Sequence, residues 1–418
     1  MSTVFLHVGQ CGNQLGQQFW QLVQQDDEAK CTFYRRDQKL PSLHVDTEKK
    51  VIAKLLRNSK QLPVREKNVI LSKQGRGTNW AMGYHGTSTN PSESMIEVTL
   101  EVLRKEVERC DSFCGTVMMH SLSGGTGSGL QSLGSHLCEA VRDTYPMAYI
   151  LDVAVAPHTQ GESPLQHYNN LFCLAWLQKF ADCVILYHND EVLHHLQGLN
   201  ITKGNRDAAN VDIKMMNKYI TDSLAGLLCP ISSNTTRSGI SSGNEPWELL
   251  RSVSPMPAHK FLHVSHVMKS KSTWEAMTTN LIQSAVRYDT DGQHYSSLAS
   301  LVAVRGDPTS TFMTSLSVIE RKLKAALGFV EWNPFPIDFW IGKQQGVLPK
   351  DTSSMTMCVN TSRIVSMMQR VQSRARSMYD ARAFLHWYQR YSCDETEFEE
   401  AFATVNQVIR DYESAAEG

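Results

Sequence analysis

The residues best suited to chemistry form a glycine-rich segment, Ser121–Gly129, which reads Ser-Leu-Ser-Gly-Gly-Thr-Gly-Ser-Gly. An apolar, β-branched run at Gly115–His120 precedes it, and apolar residues at helical spacing follow it. This pattern predicts a turn between a buried parallel strand and a helix. Glycines let several backbone N–H groups point at one anion, and the helix start adds partial positive charge. The segment is a candidate phosphate-binding loop; the alternative is a turn that needs glycine only for steric reasons.

Two known phosphate-binding patterns do not fit this segment. A P-loop requires a lysine after its last glycine, where this sequence has Leu130. In a dinucleotide fingerprint that counts Gly125 and Gly127, the third glycine would also fall at Leu130. A lysine-free loop remains, which would bind phosphate through backbone amides, Ser121 and Thr126. A dinucleotide-dependent oxidoreductase is correspondingly disfavoured.

Composition excludes several classes of function. Among 418 residues, 41 Lys and Arg balance 42 Asp and Glu, so no nucleic-acid partner is expected. The ten cysteines form no Cys-x-x-Cys pair and no zinc-type cluster. No apolar run approaches 18 residues and no leader peptide is evident, so we expect no membrane insertion and a reduced intracellular protein.

A second strand–turn–helix unit opens the chain. The apolar run Thr3–Val8 is followed by Gly-Gln-Cys-Gly-Asn-Gln-Leu-Gly and an amphipathic stretch. The side chains of Gln10, Asn13 and Gln14 suit recognition of a sugar, a base or phosphate oxygens, or they cap a helix. Two such units predict a parallel sheet whose turns meet at one edge, where ligands bind.

Further strands are predicted to end in polar residues at the same edge. After the first of these, Asp46 or Glu48 could hold magnesium through water, although acidic residues also favour first helical turns. The predicted strands are Leu43–Val45, Met147–Ala156, Cys183–Tyr187, Phe261–Val267, Leu298–Val304, Phe312–Ser317 and Thr356–Asn360. The predicted helices include Glu93–Arg109, Gln166–Phe180, one from Ile213 to a boundary near Cys229, Ser362–Tyr388 and Glu395–Glu413, whereas Asp26–Leu40 is predicted to be a loop.

Six stretches in the same order resemble the tubulin family. They begin at Gly9, Gly77, Gly124, Phe329, Ala383 and Asp394, and read GQCGNQ, GTNWA, GGTGSG, FVEW, AFLHWY and DETEF. The resemblance implies an α/β tubulin fold with four parts. These are a Rossmann-like GTP-binding domain (1–211), a central core helix (212–229), an intermediate α/β domain (230–355) and a C-terminal helical region (356–418).

The resemblance also implies the ligands, GTP or GDP and Mg²⁺, and the residues that contact them. Phosphate would be held mainly by the glycine loop, Asn189 and Asn217 would read guanine and ribose, and Glu48 would approach the magnesium. The implied nucleotide contacts are Gln10, Cys11, Thr78, Asn79, Ser121, Gly124, Gly125, Thr126, Gly127, Asn189 and Asn217.

Hydrolysis in the family is completed by a loop from the next subunit of a filament. Counting back from Ser254-Pro255 places Glu248 where catalytically active subunits have their glutamate. A carboxylate there could orient and deprotonate the attacking water. The alternative is an ordinary solvated glutamate on a helix.

Several departures from the family pattern point to a minor type. Gln166 replaces an acid near the ribose, and Ile213 replaces an aromatic residue that stacks on guanine, a contact worth ~1–3 kcal/mol. Asp26–Leu40 and the lateral-contact region Lys269–Tyr295 are short, and the sequence ends without a long Glu-rich tail.

These features resemble the zeta type first and the delta type next, which implies a role at centrioles or basal bodies of ciliated cells. Possible partners are then other tubulins or centriole and basal-body proteins. The alternative function is a nucleotide-stabilised scaffold without hydrolysis or polymerisation.

Overall fold

A computed structural model describes residues 3–417 except for 49–51, 54–56, 58–61, 72–78, 88–89, 124–129, 160–162, 203–210, 232–242, 244, 255, 307–309 and 344–351. Strands and helices alternate in the first half. These elements are β1 (Thr3–Val8), α1 (Gly9–Val23), α2 (Asp27–Phe33), β2 (Ser42–Asp46), β3 (Val69–Leu71), α3 (Trp80–His85), β4 (Gly86–Thr87), β5 (Asn90–Pro91), α4 (Ser92–Val107), β6 (Gly115–Ser121), α5 (Leu130–Thr144), β7 (Tyr149–Ala156), α6 (Gln166–Phe180), β8 (Cys183–His188) and α7 (Asn189–Thr202).

The second half begins with a long helix and ends in helices. Its elements are α8 (Ile213–Leu228), α9 (Leu249–Val253), β9 (Phe261–Ser270), α10 (Trp274–Ser284), β10 (Ser297–Gly306), α11 (Ser310–Leu327), β11 (Ile337–Lys343), β12 (Thr352–Thr361), α12 (Arg363–Asp380), α13 (Leu385–Gln389) and α14 (Glu395–Glu417). None of the described helices is both long and apolar enough to span a bilayer.

Ten of these strands form one sheet in the order β11-β10-β12-β9-β8-β7-β6-β1-β2-β3. From β3 to β8 all neighbours are parallel, and this is the strand order of a doubly wound nucleotide-binding fold. β9 continues the sheet parallel to β8, whereas β12 lies antiparallel to both β9 and β10. Because strands buried on both faces must be apolar throughout, β6 and β7 read as nearly continuous apolar runs.

Helices cover both faces of the sheet. On one face α5 and α6 pack with the C-terminal helices α12 and α14, and on the other face α1 packs against α8. A third apolar cluster lies under α10 and α11. The long helix α8 therefore runs through the core between the first unit of the sheet and β9, as the predicted central helix requires.

Most predicted elements are confirmed, and α6 has the predicted bounds. The predicted strand Phe312–Ser317 is wrong, because these residues lie in helix α11, whose buried Phe312, Ile319 and Leu323 recur at helical spacing. The predicted loop Asp26–Leu40 contains α2, which Asp26 caps by accepting a hydrogen bond from Ala29 N. The predicted helix Ser362–Tyr388 is divided into α12 and α13. The domain boundaries stay a prediction, and β12 continues across residue 355.

Candidate functional site

The carboxyl ends of β1 and β6 mark the point where the strand order reverses. From β1 the sheet extends through β2 and β3 on one side and through β6, β7 and β8 on the other. In open α/β sheets the ligand binds in the crevice outside the strand ends at such a switch point. The candidate site therefore lies beyond Val8 and Ser121, the last residues of the two strands.

Helix α1 begins immediately after β1, so its first turn stands at this crevice. Gly9 has a positive φ of 73°, which allows the chain to turn from strand to helix without a linker. Val8 at the N-cap provides no side-chain cap, and the first turn carries no acidic residue. The N–H groups of a first turn have no intrahelical acceptor, so they and the helix dipole favour an anionic ligand.

Gln10 and Cys11, both predicted nucleotide contacts, lie in this first turn. Gln10 is exposed, and Cys11 is half-buried beside the apolar core. Burial raises the pKa of the Cys11 thiol to about 12, so the thiol stays protonated at neutral pH. Both side chains are therefore uncharged and add no repulsion toward a phosphate.

Asn13 has a structural role. Its amide group donates to Gly9 O at 2.9 Å and to Val45 O at 3.2 Å, and its Oδ1 contacts His44 Nδ1 at 2.9 Å. These bonds fasten the start of α1 to the end of β2. These contacts are not the helix cap predicted as one role of Asn13, and its other predicted role, a ligand contact, stays a prediction.

The buried groups around Asn13 predict opposite pH responses. Burial lowers the pKa of His44 to about 3 and raises that of Asp46 to about 6. Between pH 6.5 and 4, His44 is protonated in the unfolded chain but not in the native protein. The free energy of unfolding therefore falls by about 1.4 kcal/mol for each pH unit of acidification. Between pH 6 and 4, Asp46 is protonated in the native protein but not in the unfolded chain. Its contribution to the free energy of unfolding therefore rises on acidification at a similar rate.

Denaturant unfolding of His44→Gln and Asp46→Asn across pH 4–7 tests this prediction. Relative to His44→Gln, the unsubstituted protein should lose stability on acidification. Relative to Asp46→Asn, it should gain stability. Parallel pH curves for all three proteins would contradict the assignment.

Asn217 and Gln14 bring the start of α8 to the start of α1. Asn217 Nδ2 donates to Gln14 Oε1 at 3.1 Å, and Asn217 is only 8% exposed. Ile213, one turn earlier, is 69% exposed. The two helix starts thus converge near the switch point, where Ile213 offers an aliphatic surface in place of the expected aromatic one.

The phosphate loop is only partly described. Ser121 ends β6 and is half-buried. The predicted contacts Gly124, Gly125, Thr126 and Gly127, as well as Thr78, lie outside the described residues. Ser121 therefore shows where the loop starts, beside the first turn of α1.

Sequence reasoning missed a buried ion pair that involves His120, the residue before Ser121 in β6. His120 Nε2 donates to Asp152 Oδ2 at 2.9 Å, and His120 Nδ1 donates to Ser121 O at 3.1 Å. Both partners are acceptors, so both ring nitrogens carry protons. Burial alone would lower the pKa of His120, but the charge and hydrogen bond of Asp152 raise it. A polar residue in each of two predicted buried strands was the available signal.

Asn189 begins α7 at the end of β8, and a polar cluster adjoins it. The Asp190 carboxylate accepts from His158 Nδ1 at 2.6 Å and from Thr159 N at 2.7 Å. Burial would raise the pKa of Asp190, but the hydrogen bonds from Thr159 and His158 lower it. Gln166 Nε2 donates to His158 O at 3.0 Å. Gln166 therefore holds the loop after β7 and gives the site no carboxylate.

Glu48 follows β2 at the same edge of the sheet. It is half-buried, and its backbone N–H donates to Asp46 Oδ1 at 3.0 Å. No group of three or more His, Cys, Asp or Glu suited to a metal occurs within the described ranges. Mg²⁺ usually binds one or two carboxylates together with waters and substrate phosphates. A carboxylate at Glu48 fits that requirement.

Asn79 links distant parts of the fold. Its Oδ1 accepts from Ala81 N at 2.8 Å, which caps α3, and its Nδ2 donates to Trp387 O at 2.9 Å. Both ends of the amide are thus occupied by backbone groups in the isolated chain. Its predicted nucleotide contact remains a prediction.

Glu248 lies in a short turn before α9. Its Oε2 accepts from Gly243 N at 2.9 Å, and its Oε1 accepts from Glu245 N at 3.2 Å. The side chain is only 5% exposed. In the isolated chain the carboxylate therefore organises its own turn, a role that the sequence did not predict.

This turn stands at the opposite edge of the sheet from the crevice. Trp247 stacks on Tyr149 at the start of β7, and Glu245 accepts a hydrogen bond from Thr3 at the start of β1. Helix α8, with 16 residues, leads from Ile213 toward this edge, and a helix of that length spans about 24 Å. Glu248 cannot reach the switch-point crevice of its own chain.

Residues 2–197 match the Tubulin/FtsZ family, GTPase domain. The tubulin delta chain of Mus musculus is 25% identical over 475 residues, which cover 99% of each chain. The delta chain of Homo sapiens is 25% identical over 473 residues, again with 99% of each covered. The tubulin beta-1 chain of Chondrus crispus is 26% identical over 448 residues, with 100% of this chain and 94% of the relative covered.

The sheet, the switch-point crevice and these matches support a divergent member of the tubulin superfamily. The matches support a tubulin-family cytoskeletal protein, and the GTPase-domain match supports guanine nucleotide as its ligand. Within the superfamily, the delta type is a candidate.

Proposed function

We propose that the chain binds GTP in the crevice beyond β1 and β6. The observation that carries this proposal is the convergence of both strand ends with the starts of α1 and α8, joined through Gln14 and Asn217. Ser121 and the glycine loop would hold phosphate, and Gln10 and Cys11 would lie beside it. Asn189 and Asn217 would contact guanine and ribose.

Magnesium would be held by Glu48 together with nucleotide phosphates and water. When bound, the ion neutralises phosphate charge. Denaturing the purified protein and identifying the released nucleotide tests the binding proposal directly. Release of GTP or GDP is expected, and protein that carries no nucleotide and takes up none would contradict the proposal.

We further propose that hydrolysis is completed in a head-to-tail contact, by Glu248 of a second copy or by a glutamate of another tubulin. Support comes from the position of Glu248, at the edge of the sheet opposite the crevice. Stacking two subunits along this direction would bring one subunit's turn to the other's nucleotide. There the carboxylate would orient and deprotonate the attacking water.

Replacing Glu248 by alanine should leave GTP binding intact and abolish phosphate release that depends on protein concentration. The capping bonds to Gly243 and Glu245 are also lost, at a cost of roughly 1 kcal/mol, so melting temperature is measured in parallel. Glu248→Gln keeps the side-chain size and serves as a second variant. Unchanged phosphate release from assembled Glu248→Ala protein would contradict the catalytic role.

A nucleotide-stabilised scaffold without hydrolysis is the second candidate. Two observations favour it, namely the engagement of both Glu248 oxygens in the turn and the aliphatic Ile213 where a stacking aromatic was expected. Nucleotide that stays unhydrolysed at every protein concentration would support the scaffold function. Phosphate release that rises with protein concentration would support the GTPase function.

The cellular site we propose is the centriole or basal body of ciliated cells, with other tubulins or centriolar proteins as partners. This rests on the sequence resemblance to the minor tubulin types, among which the zeta assignment stays a prediction.

A further inference from the structure

A crevice opens where β8 and β9 separate. The two strands pair only through Val184–Leu186 and Phe261–His263, and β9 then continues to Ser270 while β8 ends at His188. Two adjoining cavities lie beyond the last pair and share three of their lining residues. The residues that matter here are His188, Glu191, His263, Ser265, Arg287 and Arg363.

His263 lines both cavities with unused hydrogen-bonding capacity. The residue is 8% exposed, and neither ring nitrogen has a partner among the described residues. Burial lowers its pKa to about 4, so at neutral pH the ring offers one donor and one acceptor. Buried polar groups in native proteins are nearly always paired, and an orphan costs about 1–3 kcal/mol. A ligand in the crevice would supply the missing partners.

Arg287 adds a second unpaired donor. Its Nε is buried without a partner within the described part of the chain, and its guanidinium lies over the Tyr288 ring. This residue stands in the connection between α10 and β10, so it approaches the crevice from a different element than His263 does.

The charges in the crevice favour an anion. Arg363 is paired with Glu191, which leaves Arg287 as the uncompensated charge among the lining residues named above. His188 stacks on His263, with ring centroids 5.6 Å apart. Burial and its neighbours His263, Arg363 and Arg370 lower the pKa of His188, so it is neutral. Guanidinium groups disfavour a metal cation and match the geometry of oxyanions.

We propose that this crevice binds a small oxyanion, a phosphate or a carboxylate, through Arg287, Arg363 and His263. Arg287 and Arg363 would supply charged N–H donors, and His263 a neutral one. The site lies on the β8–β9 side of the sheet, away from the β1–β6 switch point, and it does not depend on the proposed GTP site.

Calorimetric titration of the purified protein with inorganic phosphate, and separately with succinate, tests the proposal. Sodium chloride keeps the ionic strength constant, and the crevice variants distinguish binding at this site from binding of phosphate at the switch-point crevice. Saturable binding of either anion is expected. Phosphate alone would identify a phosphate-type ligand, and succinate alone a carboxylate.

Arg287→Met should weaken binding at least tenfold, and His263→Phe should weaken it severalfold with little change in volume. Arg321→Met, which alters an exposed arginine on α11 outside the crevice, is the matched control and should bind as the unsubstituted protein does. Absence of saturable binding by both anions, or equal binding by all four proteins, would overturn the proposal. Circular dichroism and urea unfolding confirm that each variant is folded.

Discussion

Gly12→Ala should abolish nucleotide binding and destabilise the first half of the chain by about 3 kcal/mol or more. A Cβ at Gly12 would lie 2.0 Å from Met119 O and 2.9 Å from Met119 C in β6. Both atoms belong to the backbone of a central strand, so the neighbour cannot rotate away. Helix α1 would have to move off the sheet, and its first turn would leave the crevice.

Gly198→Ala provides the matched control for this prediction. Gly198 lies in α7, and an added Cβ there meets no atom within 4 Å. Alanine in a helix interior is favoured over glycine by roughly 0.5–1 kcal/mol, so this variant should be neutral or more stable. Urea unfolding and bound-nucleotide content measure both effects. Gly12→Ala protein with normal nucleotide content would show that α1 is not held against β6 as described.

The second large effect is expected for Arg305→Met. Arg305 is 2% exposed, and its guanidinium donates to Gly226 O at 3.1 Å, to Pro230 O at 3.0 Å and to Cys229 O. These carbonyls end α8, where the helix dipole is negative, so the buried cation is stabilised without a carboxylate. Removing it leaves the carbonyls without these donors in a dry environment and should cost about 3–5 kcal/mol.

Arg305→Lys should give an intermediate loss, because one ammonium group cannot reach all three carbonyls in the planar arrangement of a guanidinium. Arg390→Met, at an exposed position, should change stability by less than about 0.5 kcal/mol. Chemical unfolding of the three variants gives the comparison. A loss below about 1 kcal/mol for Arg305→Met would mean that other groups hold the end of α8.

The sequence predicted the sheet better than it predicted the side-chain partners. Parallel strands that end in polar residues could be predicted because apolar runs and glycine turns are local signals in the sequence. Phe312–Ser317 was misassigned because six residues cannot separate the two periodicities, whereas the buried positions through Leu323 repeat as a helix does. Asp26 followed by two acidic residues was a helix-start signal that the loop prediction overlooked.

For the site residues, the sequence predicted the residue types but not their hydrogen-bond partners. Residue type indicated that Asn13, Asn79 and Glu248 make polar contacts, but only the fold shows which backbone groups they meet. The pair of His120 and Asp152 depends on the register of β6 against β7, which a single sequence does not define.

The ladder between β8 and β9 has a mechanical consequence. It contains three residue pairs, against six between β7 and β8 and nine between β9 and β12. The sheet should flex more easily along this line than between β7 and β8 or between β9 and β12, because fewer hydrogen bonds resist deformation there. A small molecule bound in the crevice between β8 and β9 would then fix the angle between the two parts of the sheet that these strands join.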